Sequence, residues 1–205
     1  AEPTLNDLAT DLLALAHTLS PNDPVDLVGH SMGGRTAMKC RMVEPRRVRS
    51  LTVLDIAPSP IDESTNSLMP VLQALLDAPA NGPDRRPFRD HFAARGLTPA
   101  LIDWLLMNLV PDPTAPADAP RLRWRFDRAA LAALHANTRN EDLWPAFEEH
   151  QHDPSLCVRG ERSRFVTELD TLRYERAGTR VVTIPGAGHF LHVDAQEALL
   201  AALVG

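Results

Sequence analysis

Residues 25–43, VDLVGHSMGGRTAMKCRMV, pass from an apolar run, through a serine set between glycines, into a stretch with helical spacing. The pentapeptide Gly29-His30-Ser31-Met32-Gly33 asks a strand to turn sharply into a helix, with the serine at the tip in a strained conformation. Side chains at Gly29 or Gly33 are expected to clash in so tight a turn. A chain that must place a strand before this turn and a helix after it is committed to helices packed on a parallel sheet.

The remaining elements fit that commitment. SLTVLD (50–55), SLCVRG (155–160) and RVVTIPG (180–186) read as further short strands. Leu5, Leu8, Leu12, Leu15 and Leu19 recur at helical spacing, with Thr4 as cap and Pro21 as stop. Other helices are predicted from Gly34 to Val43, over 165–176, and from Asp194 to Leu203, where Asp194 and Glu197 resemble a capping box. Strand–helix alternation on both sides of a long interruption predicts an α/β fold with right-handed crossovers.

Residues 1–57 and 151–205 therefore form the expected core. The insertion, 58–150, is helical in pattern (64–78, 85–95, 98–109, 128–137) and broken by proline-rich stretches such as VPDPTAPADAP. Its position between two core strands predicts a lid over the C-terminal edge of the sheet. Trp104, Trp124 and Trp144 all fall in or near it and are assigned to its core, with one available to line an acyl pocket.

A formal net charge of −6 argues against a nucleic-acid or anionic-membrane surface, since either needs a basic stripe. Cys40 and Cys157 are too few for a disulfide framework and read as buried thiols in a reducing compartment. No stretch has the length and apolarity of a membrane span, and the start AEPTLNDLATDLL lacks the basic end and apolar core of a signal peptide. A cytoplasmic location is the expectation.

A serine hydroxyl is a poor nucleophile until a base takes its proton. His189, in the glycine-rich loop PGAGHFLHVD after the last strand, stands where the chain order Ser…acid…His puts that base. His192 is the rival and is assigned to packing or surface. His30 is expected beneath the turn. The Met32 N–H, at the start of the helix, points toward a developing oxyanion. EEHQHDP (148–154) gathers His150, His152 and Asp153, but its spacing matches no zinc pattern, so neither a metal nor a cofactor is expected.

Together GHSMGG, VLDIAP, RGERSRF and IPGAGHFLH resemble the α/β-hydrolase superfamily, and within it the YbfF-like esterases, a group that includes α/β-hydrolase domain protein 11. The resemblance implies the α/β-hydrolase fold with a helical lid. It also bears on the acid. Many members take it from a G-D-x-D loop, which corresponds here to Gly160-Glu161-Arg162-Ser163, so that Ser163 fills the usual acid position. In the YbfF-like group the acid moves to the end of the preceding strand. That implies Asp55, with Ser163 as an auxiliary group; Glu161 is the fallback.

The same resemblance implies further strands and a second oxyanion N–H upstream of residue 29, where no H-G or G-G motif occurs; the N-terminal part of the sheet is thus expected to be missing, to come from an upstream segment or a separate chain, and to leave VDLVG an edge strand that invites self-association. The implied reaction is hydrolysis of short- to medium-chain acyl esters or thioesters, with a small molecule as partner. A carbon–carbon bond hydrolase on the same residues and a non-catalytic binding or scaffold remnant are the alternatives.

Overall fold

Helices and strands alternate along the chain in the computed structural model, which describes residues 2–61, 69–119 and 121–205. The elements are α1 (Leu5–Leu19), β1 (Val25–His30), α2 (Met32–Val43), β2 (Val48–Leu54), α3 (Met69–Leu76), β3 (Asn81–Gly82), α4 (Arg86–Ala93) and α5 (Pro99–Leu106). After these come β4 (Leu109–Pro111), β5 (Leu122–Trp124), α6 (Arg128–Thr138), α7 (Pro145–Glu148), β6 (Ser155–Gly160), α8 (Glu168–Arg176), β7 (Arg180–Ile184), α9 (Leu191–Asp194) and α10 (Gln196–Val204). The described chain divides into two compact units, residues 3–61 with 134–205, and residues 69–133.

In the first unit the four expected strands pair in the order β1-β2-β6-β7, all parallel. Successive residues of a strand face opposite sides, so Val53 and Cys157, opposite each other in register, share one face, and Leu54 and Val158 share the other. The first face joins Leu5 of α1, Met38 of α2, Phe147 of α7 and Tyr174 of α8 in one core. The second packs Leu54, Val158 and Ile184 against Leu191, Leu199 and Ala202. Each fully buried aliphatic side chain contributes roughly 1.5–3 kcal/mol, so two covered faces hold the central strands firmly. Cys40 and Cys157 are free and buried, and burial pushes their thiols up to about 11 and about 12.

Two helices differ from their sequence patterns. In α1 the Thr4–Asp7 capping box forms, but the buried line is Leu5, Ala9, Leu13 and Ala16, while Leu15 and Leu19 are exposed. The alanines let α2 approach closely enough for the Cys40 thiol to reach the Ala9 carbonyl, at 3.6 Å. The capping box expected at Asp194 and Glu197 does not form. Helix α9 ends at Asp194, α10 begins after Ala195 without a side-chain cap, and the Asp194 carboxylate accepts the Gly188 N–H at 2.7 Å.

The second unit has its own core, in which Phe88 and Phe92 meet the Trp124 ring edge-on. It contains a feature the helical pattern conceals: an antiparallel sheet in the order β3-β5-β4. Its extent also differs from the expected 58–150, because residues 58–61 and 134–150 belong to the first unit. There Trp144 is buried against Tyr174, at 4.9 Å between ring centroids, and its indole N–H donates to the Ser59 hydroxyl at 2.9 Å. Trp104 is half-exposed. The beginning of the helix expected over 64–78 lies outside the described residues. Among the described residues no helix is long and apolar enough to cross a membrane.

Candidate active site

Strand β1 ends on His30, paired with Leu54 of β2, and the next residue of each strand leaves the sheet in a left-handed conformation. These residues are Ser31, with φ 54°, and Asp55, with φ 53°. Ser31 is the N-cap of α2, yet its hydroxyl makes no cap bond. A serine at this position ordinarily turns its oxygen onto the first helical N–H groups. Here ψ is −121°, and the oxygen is left for another partner.

The glycines explain how the turn closes. A Cβ on Gly29 would stand 2.4 Å from the Gly33 carbonyl oxygen, so strand and helix touch backbone to backbone. The second close glycine is Gly34, where a Cβ would meet the Ile56 side chain at 2.6 Å. Gly33, expected to be crowded, has open space instead: a Cβ there would meet nothing within 4 Å, because that position faces away from the strand.

The partner for Ser31 is His189, whose Nε2 lies 3.1 Å from the serine Oγ. The other ring nitrogen, Nδ1, lies 2.8 Å from Asp55 Oδ2. A carboxylate can only accept, so Nδ1 carries the proton and Nε2 offers its lone pair to the Ser31 hydroxyl. Asp55 is fully buried, and two further donors converge on it. The Gly160 N–H donates to Oδ1 at 2.9 Å, and the Ser163 hydroxyl donates to Oδ2. The arrangement can carry a proton from Ser31 to His189 while holding the imidazole in one tautomer.

The structure thus brings Ser31, His189, Asp55 and Ser163 together and sets Met32 as the first residue of α2, where a first-turn N–H has no helical acceptor. Glu161 points elsewhere: its carboxylate is exposed and accepts the Gly186 N–H at 2.7 Å, which pins the loop leading to His189. His192 is exposed on α9, with its ring edge-on to His30. His150 pairs with Asp153 at 3.3 Å. Among the described residues no group of three or more histidines, cysteines or acidic residues is arranged to hold a metal ion.

Two contributors escape a reading of the sequence. The Phe165 ring lies 4.1 Å from the His189 ring between centroids, tilted by 35°. Its place in RGERSRF is visible, but its ring contact depends on the fold. Arg35 follows the turn on α2 and looks like a helix-surface charge, yet it is buried. Its guanidinium donates to the carbonyls of Ala57 (3.1 Å), Ser59 (2.9 Å), Thr138 (3.2 Å) and Glu141. It thereby ties the helix that starts beside Ser31 to the loop that follows Asp55. Burial lowers its pKa to about 10, so it stays charged at neutral pH.

Known proteins resemble the chain along nearly its whole length. The chain is 26% identical over 202 residues to the sn-1-specific diacylglycerol lipase ABHD11 of Xenopus laevis, a match covering 96% of this chain and 62% of that protein. It is 27% identical over 216 residues to the esterase YbfF of Escherichia coli strain K12, covering 91% of this chain and 77% of YbfF. The chain therefore spans about three fifths of the ABHD11 length. Among solved structures, a marine microorganism esterase superposes with a TM-score of 0.78 at 26% identity, covering 97% of this chain and 75% of that one. A sequence model described as the alpha/beta hydrolase family matches residues 1–202, and the chain belongs to that family.

Proposed function

We propose that the protein is a serine hydrolase of carboxylic esters, acting on short- to medium-chain acyl esters or thioesters of small molecules. The observation that carries the reading is the row from Ser31 through His189 to Asp55, with both imidazole nitrogens engaged in the sense that activates a hydroxyl. Ser31 Oγ attacks the acyl carbon while His189 Nε2 takes its proton. The Met32 N–H stabilises the oxyanion. His189 then returns the proton to the departing alkoxide or thiolate, leaving an acyl group on Ser31. Water repeats both steps: His189 takes its proton, the hydroxide adds to the acyl carbon, and the acid leaves as Ser31 recovers its hydrogen. Asp55 offsets the imidazolium charge, and Ser163 holds Asp55 in place. The relatives named as a lipase and an esterase support the same class of reaction.

The test is a fluorophosphonate probe followed by peptide mass spectrometry on the full-length protein. Label on Ser31 alone, and none in Ser31→Ala, is the expected result. Label on another serine, or an unlabelled but folded protein, removes the reading.

A further inference from the structure

His30 makes contacts that its place beneath the turn does not require. Its Nε2 lies 2.8 Å from the main-chain carbonyl oxygen of His189, a residue 159 positions away in sequence. A carbonyl only accepts, so this nitrogen carries a proton. The His30 ring also stands 4.6 Å from the His189 ring, tilted by 41°. His189 lies in the turn after β7, outside the sheet ladder, where Gly186 has a φ of +66°. Such a loop has other conformations open to it unless its main chain is tied down. Gly186 and Gly188 are tied through their N–H groups to Glu161 and Asp194, and the carbonyl of His189 itself is tied to His30.

We propose that His30 is a positioning residue for His189: its Nε2–H fixes the His189 carbonyl, and its ring backs the imidazole, so that Nδ1 stays on Asp55 and Nε2 on Ser31. The assignment rests on the reading that Ser31 is the nucleophile. On this assignment His30 acts through His189, whose main-chain carbonyl it binds, and not on the substrate or the transferred proton. It shares the end of β1 with Ser31, so one short segment sets both the nucleophile and the seat of its base. Burial lowers the pKa of His30 from the usual imidazole range, so at neutral pH the ring is an uncharged donor. The groups facing it are His189, His192 and Asp55.

The experiment compares His30→Gln, which keeps a donor near Nε2, with His30→Phe, which keeps a flat ring and loses the donor. Hydrolysis of p-nitrophenyl butyrate, the rate of fluorophosphonate labelling at Ser31, and the NMR signal of the His189 Nδ1–H proton are measured on each full-length variant. Positioning predicts kcat and labelling rate lower by about tenfold in His30→Phe, with KM unchanged, and close to the parent in His30→Gln. The Nδ1–H signal should be sharp in the parent and in His30→Gln and broadened by exchange in His30→Phe. A parent that labels at Ser31 alongside a His30→Phe that labels equally fast, with an equally sharp signal, overturns the assignment alone. Retained activity in His30→Phe with loss in His30→Gln makes the residue a packing element and overturns it too. A folded parent that does not label at Ser31 overturns the nucleophile reading, and the assignment falls with it.

Discussion

Where β2 ends, the chain stops on Asp55, fully buried and surrounded by donors. One strand over, β6 runs out into Gly160-Glu161-Arg162-Ser163, whose carboxylate faces solvent and whose serine points back toward Asp55. The two ends are laced together, since the Asp55 N–H donates to the Val158 carbonyl at 2.8 Å and Gly160 donates to the Asp55 side chain. The Asp55 carboxylate only accepts, and the Gly160–Ser163 end donates to it. On the proposed mechanism the difference means that a strand end qualifies to orient the imidazole through register and burial. Merely carrying an acidic residue nearby is insufficient.

That contrast can be broken by exchanging the groups. On the proposed mechanism, Asp55→Asn should lower kcat about 10⁴-fold, because the amide no longer enforces the tautomer or offsets the imidazolium. Equal turnover in mutant and parent would return the acid to Glu161. Ser163→Ala should cost about tenfold to a hundredfold, as expected for one lost hydrogen bond to a charged group of about 1.5–3 kcal/mol. Steady-state kinetics with p-nitrophenyl butyrate checks both. Adding Ser163→Asp to Asp55→Asn sharpens the comparison further, since it moves the carboxylate from one strand end to the other. About a tenfold recovery over Asp55→Asn alone is expected if either end can serve once it holds the charge. The smallest effect belongs to Glu161→Gln, which keeps an oxygen acceptor for Gly186 and should leave turnover within about twofold.

The central strands are legible because strands covered on both faces are written as short apolar runs, as SLTVLD and SLCVRG are, while VDLVG and RVVTIPG, at the ends of the described strand order, are partly exposed yet keep enough apolar residues to read the same way. Ser31 and His189 are legible from motif and chain order. Asp55 needs the resemblance as well, since strand-end aspartates commonly serve as simple caps. What stays hidden depends on contacts between distant residues. No local signal says that Arg35 turns inward to gather carbonyls from two loops. The antiparallel strands of the second unit are two or three residues long, and one contains Pro111, so no alternation could announce them. Gly33 departs from expectation for a related reason: the motif records which residues recur in such turns, while the crowding falls on Gly29 and Gly34.

The matched φ values of Ser31 and Asp55, one step beyond paired residues on adjacent strands, bear on how such a molecule responds to selection. Non-glycine residues held in sparsely populated backbone regions each cost on the order of 1–3 kcal/mol. Glycine at Ser31 would relieve that cost and, on the proposed mechanism, delete the nucleophile, whereas glycine at Asp55 would also leave the Gly160 N–H and the Ser163 hydroxyl without their acceptor. A screen for heat resistance that ignores turnover should therefore collect glycine at Ser31 and not at Asp55, and on that mechanism the survivors would be sturdier and inert. On the proposed mechanism the pair of bent residues marks where stability has been exchanged for chemistry, so an engineer should look for stabilising changes elsewhere in the chain.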